Sequence, residues 1–102
     1  MMMMAHDSSP GPAALSEETI EAVRAALVRY IDAPSQGDRL RESLHVMAAE
    51  ARAKSVLPEQ LLVVLKDIWY SLPSVRAMSE PVDQVRLLQR VVTMCIKEYY
   101  AD

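Results

Sequence analysis

Pro58 to Leu72 reads PEQLLVVLKDIWYSL, and this stretch decides the fold. Leu61, Leu62, Val64, Leu65, Ile68, Trp69 and Leu72 recur at steps of three and four. That spacing covers about half the circumference of a helix, and a strand would alternate instead. Pro58 suits a first helical position, where its missing N–H costs nothing. Pro73 ends the segment, because a residue before proline is pushed out of the helical region. A helix over Pro58–Ser71 follows. It is the most apolar in the chain, so the sequence places it at the centre of the fold.

Helical spacing continues on both sides. A first helix over Glu17–Asp32 carries Ile20, Val23, Leu27, Tyr30 and Ile31 on one face, with Ser16 as N-cap and Ala33-Pro34 as its end. A second over Gln36–Lys54 carries Leu40, Leu44, Met47 and Ala51, with Ser35 and Asp38 resembling a capping box. Residues 73–78 read as a linker with room for one short turn. A last helix over Glu80–Tyr100, capped by Ser79, carries Val85, Leu88, Val92, Cys95 and Tyr99 as a heptad seam. No run of alternating β-branched residues asks for a strand. The fold class expected is all-α: a compact four-helix bundle, or an irregular four-helix array. Short connections imply that consecutive helices pack side by side. Residues 1–15, with Ser8, Ser9, Pro10, Gly11 and Pro12, read as a disordered tail, and residues 16–102 as one four-helix domain. The four methionines at the start are assigned no function.

Of the 102 residues, 51% are hydrophobic and 25% charged, a balance that supports a packed core rather than disorder. The net charge of −3 argues against a general nucleic-acid binder. One cysteine, Cys95, allows no internal disulfide and fits a reducing cytoplasm. The longest apolar run of the expected helices, Leu61–Leu65, is far too short to span a bilayer, so no membrane partner is expected.

Catalytic signals are sparse. His45 shares a polar helical face with Arg41 and Arg52, away from the Leu40–Leu44–Met47 stripe. A phosphotransfer histidine on a bundle is followed by a characteristic lysine and glycine; here Val46, Met47, Ala48 and Ala49 follow. It reads as a solvated surface residue. Cys95 falls on a core seam among Val91, Val92 and Tyr99, without the base or cationic neighbour that activates a thiol. Glu17, Glu18 and Glu21 crowd one exposed turn, which does not enclose an ion. No glycine-rich phosphate loop is present. The expectation is no catalytic residue, no cofactor and no metal.

Three surface features exceed what a four-helix core requires. Leu87, Val91 and Met94 project to a different side of the last helix from its seam, where they meet a second neighbour in the fold or another chain. Val63 and Tyr70, one heptad apart, lie within the polar arc of Glu59, Lys66 and Asp67, where they would anchor a partner helix. Arg86, Arg90 and Lys97 form a basic stripe, with Asp83 placed to pair with Arg86. The function expected is a small non-catalytic protein–protein interaction or regulatory module, with self-association into a homo-oligomer left open. The alternative is an anion- or phosphorylated-ligand-binding domain built from Arg86, Arg90 and Lys97 together with Arg41, His45 and Arg52.

Overall fold

A computed structural model describes residues 15–101. The tail expected at residues 1–14 lies outside the described residues. Leu15 is described, and it is buried in the core rather than part of a tail. The elements are α1 (Glu17–Asp32), α2 (Asp38–Ala53), α3 (Pro58–Ser71), the single turn α4 (Pro73–Arg76) and α5 (Pro81–Tyr100). Among the described residues there is no strand. The fold is all-helical with one shared core, and among the described residues no helix is long and apolar enough to cross a membrane.

Both ends of α1 and α3 fall where the sequence puts them. Ser16 caps α1, its hydroxyl accepting from the Thr19 N–H at 3.2 Å. Pro58 opens α3, and the Gln60 side chain turns back to accept from the Leu57 N–H at 2.9 Å. The start of α2 differs. Its N-cap is Gly37, not Ser35, and no side chain caps it. A tight turn, in which the Gln36 N–H donates to the Ala33 carbonyl at 2.9 Å, uses up the residues between the helices. The start of α5 also shifts: Glu80 precedes Pro81 in extended backbone, and the Ser79 cap does not form. Gln84 works there instead, its amide donating to the Val75 carbonyl at 3.1 Å and tying α4 to α5. The expected linker is therefore partly helical, with Leu72 and Val75 buried.

The chain leaves α2 through a left-handed turn. The Val56 N–H donates to the Ala51 carbonyl at 2.8 Å and the Ser55 N–H to Arg52 at 3.2 Å, with Ser55 at φ 60°. This is a Schellman closure, and buried Val56 and Ala51 complete it. It directs α3 away from α2, so these consecutive helices are not a packed pair. Instead α2 lies between α1 and α5, and α3 closes the ring against α5 and α1. Both α2 and α3 thus touch α1 and α5, α3 with Trp69, Leu61 and Leu65 fully buried and α2 with the closer contacts, since Ala48 and Ala51 allow the approach of two flanking helices.

Helix α5 supplies the main correction. Gly37, at the start of α2, meets Met94 midway along α5, so the first half of α5 runs past the end of α2. The line facing the core is Leu88, Val91 and Cys95, with Leu87, Val92, Met94 and Tyr99 packed at its edges. Val85, expected in the seam, is 49% exposed. The structure rotates the buried arc between the two stripes seen in the sequence, because α5 must satisfy α2 on one side and α3 on the other.

One carboxylate joins α1 to α2. Glu50 accepts from the Ser16 N–H at 2.6 Å, the Ser16 hydroxyl at 3.2 Å, the Thr19 hydroxyl, and Lys54 Nζ at 2.7 Å. The Lys54 bond first, then that from Thr19 with help from Ser16, outweigh burial and hold its carboxyl down to about 2. A depressed carboxylate stabilises the fold fully above the unfolded pKa near 4.5, and that contribution disappears as pH falls toward about 2. Acid titration of unfolding should show stability falling over that window. Glu50→Gln should flatten this limb and cost about 1–3 kcal/mol at neutral pH in urea melts. Ser55→Gly should raise stability by about 0.5–1 kcal/mol, because glycine bears no side-chain penalty in the left-handed region.

Candidate functional site

An open groove of about 840 Å³ includes Thr19 and Ala22 of α1, Arg41, His45 and Val46 of α2, and Glu98 of α5. Its polar groups are mostly engaged with one another. His45 Nδ1 donates to Glu98 Oε1 at 2.9 Å, bridging α2 and α5. Arg41 pairs with Asp38 at 3.3 Å on its own helix. Arg52 donates to the Ala101 carbonyl at 2.8 Å and holds the end of α5. The three α2 residues considered for an anion site are thus spent on intramolecular bonds. Arg86 and Arg90 border a different hollow, with Tyr30, Thr93 and Met94. The two basic stripes do not form one site.

Cys95 is buried beneath α5. Burial, with the negative Glu98 nearby, pushes its thiol up to about 12. A thiol in that state is protonated at neutral pH and a poor nucleophile. Trp69 is fully buried, and its indole N–H has no hydrogen-bond partner among the described residues. Among the described residues no group of three His, Cys, Asp or Glu side chains is placed to hold a metal ion.

The apolar candidates divide. Val91 lies in the core, and Leu87 and Met94 are partly buried against it. Leu87, Val91 and Met94 therefore act as packing inside the chain, and Val91 presents no surface to a partner. Val63 and Tyr70 are different: at 53% and 50% exposure they stand out from α3. The residues missed from the sequence are on α5. Val82, Val85, Ile96 and Tyr100 are all exposed, and with Gln89 and half-buried Val92 they recur at steps of three and four. This outer stripe escaped notice because Val85 and Val92 were assigned to the inward seam. The departure from a single apolar face between Val82 and Ile96 was the available signal.

Among the described residues the exposed large apolar side chains are Val46, Leu57, Val63, Tyr70, Val82, Val85, Ile96 and Tyr100. All but Val46 belong to α3, its N-cap or α5. These two helices are packed neighbours and run antiparallel, since the Tyr99 hydroxyl near the end of α5 donates to the Val56 carbonyl just before α3 at 2.8 Å. Beside the apolar residues stand charges that make no ion pair: Glu59, Lys66 and Asp67 on α3, and Arg86, Arg90 and Lys97 on α5. The expected Asp83–Arg86 pair does not form. Comparison with family models, with curated proteins and with solved structures finds no match for the chain.

Cys95 should resist a thiolate-directed reagent at pH 8 in the native protein and react at the rate of a free thiol once urea unfolds it. Rapid labelling of the folded state would contradict this environment.

Proposed function

We propose that this chain is a non-catalytic helical interaction module that binds another protein through the outward side of α3 and α5. The observation carrying this reading is the concentration of exposed Val63, Tyr70, Val82, Val85 and Ile96 on two adjacent helices. Scattered surface apolar residues are ordinary, whereas a cluster rimmed by unpaired charge is a common mark of a binding face. Rigid helices present such residues at little ordering cost. The engaged state of His45, Arg41 and Arg52, together with the inert setting of Cys95, favours binding over chemistry. A single buried thiol suits work in a reducing compartment such as the cytoplasm. A second reading, binding of a small anion by Arg86 and Arg90, draws support only from the hollow they border.

The test compares three baits in a native extract: wild type, Val63→Lys with Ile96→Lys, and Arg41→Ala with His45→Ala, each shown to be folded by circular dichroism. The first pair should abolish specific capture and the second should leave it unchanged. Capture that survives on the face variant and fails on the groove variant would refute the reading.

A further inference from the structure

The outward sides of α3 and α5 are unlike each other in charge. On α3, Val63 and Tyr70 stand among Glu59, Lys66 and Asp67, which leaves that surface net acidic. On α5, Val82, Val85 and Ile96 are flanked by Arg86, Arg90 and Lys97 and by one carboxylate, Asp83, which leaves that surface net basic. None of these cations or carboxylates has an ion-pair partner within the described residues.

We infer that the occupant of this face is a second copy of the same chain, with α5 of one copy lying against α3 of the other and the reverse. The inference rests on the interaction reading above and names its partner. A two-fold axis running along the helices brings about that exchange, because it swaps the left and right members of a two-helix layer. The helices then meet antiparallel, as α3 and α5 already do within one chain.

Helical geometry supports the match in detail. With 100° per residue, Arg86, Arg90 and Lys97 lie on the flank of α5 away from α3. Asp67 lies on the flank of α3 away from α5. The two-fold operation places each outer flank over the other, so Asp67 of one copy comes opposite the arginines of its partner. Val63 and Tyr70 then face the Val82–Val85–Ile96 stripe. Lys66, on the side nearer the axis, has a long stem that covers apolar surface while its ammonium reaches solvent.

The size is adequate. The 20 residues of α5 and 14 of α3 give helices about 30 and 21 Å long, about 9 Å apart. Together they project about 500 Å² per copy, about 1,000 Å² for the pair, which meets the lower bound of a specific interface. Unsatisfied complementary charge at the rim sets register and partner choice, with the apolar stripe supplying the contact.

Sedimentation of the full chain over a range of concentrations should show a species of twice 11.4 kDa. Two charge-reversed variants give the decisive comparison: Arg86→Glu with Arg90→Glu, and Asp67→Lys. Each alone opposes like charges twice in its own dimer, so each should self-associate at least about tenfold more weakly than wild type. Mixed together, they restore both contacts and should form a heterodimer at near wild-type strength. All three positions are exposed, and circular dichroism would confirm that the variants fold.

A wild-type chain monomeric at every concentration overturns the second-copy proposal, while retained capture of a different protein through Val63 and Ile96 leaves the interaction reading standing. Dimers that form equally well in both reversed variants overturn the α3–α5 pairing. Loss of both self-association and capture on Val63→Lys with Ile96→Lys supports the pairing and the reading together.

Discussion

Helix α2 packs between α1 and α5 and is tied to both. Toward α1, the Glu50 carboxylate gathers Ser16, Thr19 and Lys54. Toward α5, His45 meets Glu98, and Arg52 holds the Ala101 carbonyl. Between these ties, Ala48 and Ala51 are small enough to bring the neighbouring backbones close. Were α2 free to slide, α5 would have no fixed depth in the fold. Its buried line, Leu88–Val91–Cys95, follows from that depth, and so does the apolar stripe left outside.

The same constraint explains how much was legible beforehand. Proline and capping chemistry act within a few residues, so Ser16, Pro58 and Pro73 marked the bounds of α1 and α3. The start of α2 was misread because Ser35 and Asp38 have cap-like spacing, yet the turn closed by Gln36 and Ala33 leaves Gly37 at the cap. Rotation of a helix about its axis is set by its neighbours rather than by its own residues. The stripes of α5 were therefore visible, but which one faced inward was not. Val91 went in and Val85 came out because α5 is gripped by α2 and α3 together. Hydrophobic content ranks α3 first, and its Trp69, Leu61 and Leu65 are fully buried, while the closeness of α2 to its two neighbours depends on small residues that hydropathy does not weigh.

The candidate site was half legible. Val63 and Tyr70 broke the polar face of α3 at an interval that stood out in the sequence, and they are exposed. Arg86, Arg90 and Lys97 were visible as a stripe, and they make no ion pair among the described residues. Their relation to α3 was not visible, because it depends on the antiparallel contact signalled by Tyr99 and Val56. The groove around His45 offers a contrasting lesson. It is a wide concavity, yet its His45 and Arg41 are bonded to Glu98 and Asp38, which is the chemistry of a brace.

A surface is defined as functional by what covers it, so the central claim is best tested by accessibility. Hydroxyl-radical footprinting of the full chain can compare dilute buffer with native extract. The account predicts protection of Tyr70, Ile96 and Tyr100 in extract, with Val46 on α2 unchanged. Unaltered labelling of those three residues, or protection centred on Val46 and the His45 groove, would contradict it.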